Sequence, residues 1–453
     1  MASRSEGKNV ANQHHSELSR RRFVAAATAS AGAALLAACG GSGTAQQQSV
    51  ASAKPASLVW TSWATAGAEL ERVQEQGKSF VRTAPHITID IRNEPSGAGY
   101  YTKLISQLAG GTGPDVFRAA SPEWEDLAKN GSLTDITPLI AKEPKNTPLQ
   151  NIYPNILPSA KYKGKIHGIP FASTYMVLYV NKPLWQRNGV ALPPAQWTTS
   201  AWTWDAMLQR LKSLSKRPDS IGTLLPSIGN RLTAMLLSNN APAFNESLTE
   251  TTITRPEFYE GLQWIADLRN VHQVATTTAE NQEFPFPGGK VGMSMSITAA
   301  SLGNTLASIN NQFEVDLYPV PTGPKATKPG TLNSLSLWTM NKASKASDAA
   351  WLFTRYLGSP EGMDPELRRG FSAPIYPGVE QRFMAEFPQL NRQVVLDAQK
   401  YAAPLLNPPG YVEIEKRLAA GITEVYEGKK NARQMVNELA GAVNELIKTA
   451  SKA

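Results

Sequence analysis

Residues Leu58–Ile91 read LVWTSWATAGAELERVQEQGKSFVRTAPHITIDI, and the order of patterns in this stretch decides the fold. Leu58-Val59-Trp60 is a short apolar run of strand character. Leu70, Val73, Gly77, Phe80 and Val81 then recur at helical spacing, and Ile87, Ile89 and Ile91 alternate as in a half-buried strand. Strand, amphipathic helix, strand is a βαβ unit, which predicts an α/β fold with largely parallel sheets.

The pattern repeats toward the C-terminus. Tyr101, Leu104, Ile105 and Leu108 form a second helical stripe, stopped at Gly110-Gly111, and Pro114-Asp115-Val116-Phe117 opens another strand. Met176–Val180 reads as a strand and Lys182–Asn188 as a short helix. Thr203 is placed to cap a helix carrying Met207, Leu208, Leu211 and Leu214, with Trp202 and Met207 set for a hydrophobic staple. Phe258–Val271 and Ser347–Leu357 are further helices. Asn431 and Gln434 form a capping box for a last helix that buries Met435, Leu439, Val443, Leu446 and Ile447.

Toward the N-terminus the sequence changes character. Ser19-Arg20-Arg21-Arg22-Phe23-Val24 precedes an Ala-rich apolar run to Ala38, too short and too rich in small residues for a membrane span of about 20 apolar residues. Paired arginines before Phe fit a twin-arginine export signal; an ordinary secretory signal with a basic start is the other reading. Leu36-Ala37-Ala38-Cys39-Gly40 resembles a lipoprotein lipobox, and Cys39 is the only cysteine of the 453 residues. A lone thiol excludes disulfides and cysteine-based metal or redox chemistry within one chain. Residues 1–38 are therefore expected to be a signal peptide, Cys39 the lipidation site, and 39–57 a flexible Gly/Ser/Gln tether. Five basic and two acidic residues of 1–38 account for +3 of the formal +8 charge, and the rest is scattered, so nucleic acid is not an expected partner.

Chemistry is sparse. Beyond His14 and His15, the histidines are His86, His167 and His272, without ligand spacing. There is no P-loop, no GxSxG and no GxGxxG after a strand. Neither a cofactor nor a metal is expected. A glycosidase-type carboxylate pair remains open on sequence alone.

Several segments together resemble the family 1 extracellular solute-binding proteins, the maltose-binding-protein-like group. These are Tyr101–Leu104 through Gly113–Val116, Gly168-Ile169-Pro170 leading to Leu178–Lys182, Trp202–Asp205, Gly289–Met293, Met340–Lys342 into Ala350–Phe353, and Val425–Gly428. Each is weak alone, but their order spans nearly the whole chain after the tether. The resemblance implies a monomeric, non-enzymatic two-lobe protein of type II periplasmic-binding topology, lipid-anchored outside the cytoplasmic membrane. It would deliver a small solute, foremost a sugar, to an ABC permease. Crossovers are expected near Phe171–Tyr175, Thr331–Ser336 and Ala373–Pro377. Lobe I would then comprise 58–172 with 336–375, and lobe II 173–335 with 376–453.

Sugars present apolar faces and a belt of hydroxyls, so aromatic, Ser/Thr, Asn and Arg side chains at strand ends and crossovers are the candidates. They are Trp60, Ser62, Trp63, Arg118, Ser121, Trp124, Thr174, Tyr175, Ser296, Thr298, Asn333, Trp338 and Tyr411. Trp63 is the expected stacking platform, with Trp63→Ala weakening binding while sparing the fold. A polyamine, glycerol phosphate or peptide is the alternative ligand. A polyamine would need acidic and aromatic cleft residues together, and the sequence shows no such cluster.

Overall fold

The structure is a computed structural model that describes residues 54–452 apart from 65–66, 96–97, 122, 144, 146, 155 and 277–282. The expected signal peptide, Arg20, Arg21, Cys39 and nearly all of the tether lie outside the described residues. Strand β1 (Ala56–Trp63) begins two residues inside the segment expected as tether.

Thirteen strands are described. After β1 come β2 (Ile87–Glu94), β3 (Val116–Ala120), the hairpin β4 (Lys161–Tyr162) and β5 (Lys165–Ile166), β6 (Gly168–Tyr175) and β7 (Leu178–Asn181). They are followed by β8 (Ile221–Leu224), β9 (Ala275–Thr276), β10 (Val291–Ser294), β11 (Val315–Tyr318), β12 (Thr331–Met340) and β13 (Ala402–Pro404). One sheet has the order β13-β12-β3-β1-β2, with β6 also pairing β12, and the other the order β11-β7-β10-β8-β9. The chain is two-lobed, one sheet to each lobe.

The opening βαβ unit is present as read. β1 and β2 pair in parallel, joined by the helix Gly67–Thr83, which buries Val73, Gly77 and Phe80. The sheets are mixed, however, rather than largely parallel. β12 runs antiparallel to both β3 and β6, and β7 antiparallel to β10 and β11. These antiparallel strands are the ones that carry the chain between sheets or return it, so the βαβ rule covers only the remainder.

β6 ends at Tyr175, and two residues later β7 begins in the other sheet. Thr331 Oγ1 donates to the Met176 carbonyl at 2.9 Å, tying the start of β12 to that passage. Ser173 pairs with Leu335 in β12 and bridges to Ala373, so all three expected crossovers lie side by side. Boundaries at 172/173 and 335/336 fall inside β6 and β12, whose pairing continues past them. β13 is a further return to the first sheet, parallel to β12 at Thr331–Asn333, before the helix Tyr411–Tyr426 packs on the second lobe.

β7 shows why the second sheet is buried on both faces. Leu178 and Val180 point into a core built with Trp185, Trp204 and Leu211, while Tyr179 points into the core that holds Trp60 and Trp338. Capping follows the sequence: Thr203 Oγ1 accepts from the Ala206 amide at 3.2 Å. Asn431 and Gln434 exchange side-chain-to-backbone bonds at 2.8 and 3.1 Å.

Candidate functional site

Three of the expected ligand contacts are core residues, a correction to the sequence reading. Trp60 is 0% exposed, edge-on to Trp338 at 5.4 Å and to Phe353 at 5.0 Å. Trp338 stacks on Phe171 with ring centres 4.2 Å apart. Trp124 is buried and spends its indole N–H on Ser121 Oγ at 2.9 Å. Strand alternation puts Leu58, Trp60 and Ser62 on one wholly buried face of β1, so an aromatic there packs rather than faces a cleft.

The others fall into groups. Ser62 and Tyr175 are fully buried, and among the described residues the Ser62 hydroxyl has no hydrogen-bond partner while Ser173 lies beside the Tyr175 hydroxyl. Burial pushes the Tyr175 phenol up to about 12. Ser296 holds the loop after β8, donating to the Leu225 carbonyl and accepting from the Ser227 amide. Thr298 receives the Tyr179 hydroxyl on its carbonyl at 2.9 Å. These last two serve the fold.

Trp63, Arg118 and Thr174 belong to a polar seam. The Arg118 guanidinium lies 3.9 Å from the Trp63 ring centre and donates to Ser336 Oγ at 3.4 Å. Burial, then the charge of Arg72, lowers its pKa to about 10. Thr174 is opposite Ser334, whose hydroxyl accepts from Asn230 Nδ2 at 3.1 Å. The seam thus runs from the first sheet to the helix Asn230–Leu237 of the second lobe.

On the alternate residues of β12, Asn333 and Leu335 face a cavity of about 860 Å³. Its walls come from both lobes. Ser121 stands in the turn after β3, Glu125 and Asp126 on the helix Glu123–Lys129 that follows, and Tyr162 on the β4–β5 hairpin. Asn407 and Tyr411 stand opposite, where Gly410, in a left-handed conformation (φ 80°), turns the chain into its helix. Of the thirteen candidates, Ser121, Asn333 and Tyr411 line this cavity. Asn333 is fixed by Ser173 Oγ, which donates to its Oδ1 at 2.7 Å.

The sequence reading missed the carboxylates. Burial and the neighbouring Asp126 push Glu125 up to about 8, against the opposing pull of Asn407 and Ser121. Burial, then Glu415 and Asp126, push Glu123 up to about 7. Glu415, on the helix Tyr411–Tyr426, is raised by burial. The signal was available in Glu123-Trp124-Glu125-Asp126 directly after a strand end, but only the tertiary fold brings residues 407–415 against it. Among the described residues no three His, Cys, Asp or Glu are arranged to hold a metal ion.

Comparison with known proteins agrees with this architecture. Residues 60–364 match the family model described as bacterial extracellular solute-binding protein. A binding protein of Brucella abortus (strain 2308) is 22% identical over 395 residues, covering 83% of this chain and 89% of that protein. The Listeria monocytogenes ABC substrate-binding protein in complex with cycloalternan superposes with a TM-score of 0.78 at 22% identity, covering 86% of this chain and 99% of that one. Maltose-bound T. maritima MalE3 gives 0.73 at 19% identity, covering 86% and 100%. UgpB from Mycobacterium tuberculosis in complex with glycerophosphocholine gives 0.73 at 16% identity, covering 86% and 98%.

Proposed function

Because the chain belongs to the bacterial extracellular solute-binding protein family, we propose that it captures a small solute between its lobes and passes it to an ABC import permease. The observation that carries this is the cavity of about 860 Å³ with polar walls from both lobes. Closure is useful only if the ligand touches both lobes when closed and one when open, since differential contact is what shifts a two-state hinge. Polyhydroxylated solutes suit the Ser121, Asn333 and Tyr411 walls, and the similar folds from Listeria monocytogenes and T. maritima hold cycloalternan and maltose. The alternative, a charged solute, draws on the glycerophosphocholine complex and on the carboxylates. Trp63, Arg118 and Thr174 are the further contacts we assign from the seam.

The protein is exported through its arginine signal and anchored through Cys39, working as a monomer on the outer face of the membrane. Cys39→Ala should release it from the membrane fraction with ligand affinity unchanged. Retention of that variant would refute the anchor. Replacing Arg20 and Arg21 by Lys should block export, whereas normal export would point to the general secretory route. The binding function itself is tested by thermal shift across sugars, polyols and amines. A ligand at 100 times its Kd stabilises by about 2.7 kcal/mol, and a panel with no shift would refute the reading.

A further inference from the structure

Against the polar cavity lies a second, apolar one of about 60 Å³. Leu232 and Leu236 of the helix Asn230–Leu237, Phe244, Phe258, and Leu418 and Ile422 of the helix Tyr411–Tyr426 line it, all of them buried. The polar side chains at its walls are Thr233, Tyr411 and Glu415. One water needs about 10–15 Å³ and about two to four polar partners. The space is therefore several waters large and poor in groups to hold them. A close-packed interior closes such gaps unless they serve an occupant, because the lining atoms forgo contacts across them.

The two cavities meet. Pro404, Leu405, Leu406 and Tyr411 line both. Pro404 ends β13, the edge strand of the first sheet, whereas the two helices belong to the second lobe. Among the described residues no backbone–backbone hydrogen bond holds Leu405–Pro409, and Pro408 and Pro409 have no amide to give. The backbone of the shared wall is thus held by packing, the condition for a segment that yields when a solute enters. Leu405 and Leu406 are half-buried there, and Tyr411 brings an apolar ring and one polar end to the boundary.

We propose that the apolar cavity is a subsite for a short alkyl or acyl group carried by the solute, whose hydroxylated part occupies the polar cavity. The inference rests on the solute-binding reading and narrows its ligand class to sugars bearing a short apolar substituent. The walls disfavour a further sugar ring, whose belt of hydroxyls would meet leucine, phenylalanine and isoleucine. A buried hydroxyl without a partner is costly, whereas an alkyl chain gains by every methylene it removes from water. A cavity of about 60 Å³ suits a chain of a few carbons and no more. Because Pro404 comes from the first sheet and the helices from the second lobe, a chain seated here also touches both sides of the hinge.

The test is calorimetric titration of the purified protein with maltose, with methyl, butyl and octyl β-maltoside below micelle formation, and with the matching glucosides. Each buried methylene is worth about threefold to fourfold in affinity. We therefore expect a butyl glycoside to bind at least about tenfold tighter than its methyl counterpart, with a more negative heat-capacity change and little further gain from octyl. Ala243→Leu and Thr233→Leu add carbons from two walls of the apolar cavity, and neither residue lines the polar one. Each should cut the butyl advantage to about threefold or less while methyl-glycoside affinity holds and the thermal midpoint stays or rises. Two walls are used so that if one variant unfolds the other decides. Equal affinity for methyl and butyl forms, or no binding by any of the series, would overturn the inference, and the thermal-shift panel would still decide the solute-binding reading. A butyl gain that survives both variants would place the chain elsewhere and overturn it too. No shift in the wider panel would sink both readings.

Discussion

The Arg118 guanidinium sits over Trp63, 3.9 Å from its ring centre, and the same indole meets Tyr100 and Tyr101 edge-on at 5.7 and 6.1 Å. Tyr100 donates to the Arg118 carbonyl at 2.6 Å, and the Ala120 amide donates to the Tyr101 hydroxyl at 3.0 Å. Trp63 therefore braces the ends of β1 and β3 as well as walling the seam.

This revises the expectation that Trp63→Ala would spare the fold. Removing the indole leaves the cation without its ring and opens space between two tyrosines. We expect a loss of about 2–4 kcal/mol, below or within the range for truncating a core Trp because Trp63 is only half-buried. Urea unfolding of the ligand-free variant measures it, and a loss under about 0.5 kcal/mol would show that the brace is idle. Trp63→Phe should recover most of the stability.

Arg72 and Glu366 form an ion pair whose side chains are 1% and 0% exposed. Arg72 also donates to the Trp63 carbonyl at 3.1 Å, and Gln76 donates to the Gly362 carbonyl at 2.7 Å. The pair thus locks the helix Pro360–Arg368 to the helix of the first βαβ unit. Glu366→Gln strands a buried cation and should cost about 3–5 kcal/mol. Arg72→Met with Glu366→Leu should be far less damaging, because no buried charge is left unpaired. If the double variant is as unstable as the single one, the cost lies in packing rather than charge.

The contrast between these two sites explains what the sequence could disclose. The βαβ opening and the helix caps are local patterns, and each appears where its residues stand. Trp60 and Trp338 were misread because a tryptophan near a strand end has the same sequence signature whether it faces core or cleft. Only the wholly buried alternate face of β1 and the stacking on Phe171 separate the cases. Glu125 and Asn407 are 282 positions apart, and Glu123 and Glu415 are 292 apart. No periodicity records such a meeting; it follows from β13 returning to the side of β12.

Stability should carry a pH signature from the raised carboxyls. Glu123 goes from 4.5 to about 7 and Glu125 from 4.5 to about 8, so between those values the folded protein holds protons that the unfolded chain has lost. Folding is then favoured at low pH, and stability falls as pH rises from about 5 to 8 at up to about 1.4 kcal/mol per unit for each group. His167, lowered chiefly by burial, works in the opposite direction below its ordinary 6.5. The clean readout is therefore a difference: wild type minus a Glu123→Gln, Glu125→Gln double variant. That difference should move against the wild type as pH rises, and a flat difference across pH 5–8 would mean the two carboxyls ionise as freely folded as unfolded.

The same groups should govern the opening of the cleft. Glu123 stands on the helix after β3, in the first lobe, and Glu415 on the Tyr411–Tyr426 helix of the second, and the charge of Glu415 helps to raise Glu123. Glu123, raised to about 7, is mostly protonated at pH 5.5, and while it is neutral the two helices can approach without repulsion. At pH 8.5 Glu123 is ionised, and in a partly desolvated gap its repulsion with a charged Glu415 opposes closure more than it would in water. We expect the radius of gyration of the ligand-free protein, measured by small-angle scattering, to be larger at pH 8.5 than at pH 5.5. Glu415→Gln should remove most of that dependence, because one neutral partner abolishes the repulsion whichever state Glu123 adopts. High salt should shrink the effect only modestly, since buried charges are screened less than exposed ones. A radius that does not change with pH in the wild type, or that changes equally in Glu415→Gln, would place the control of closure elsewhere, with the Asn230–Ser334 bond across the seam the next contact to cut.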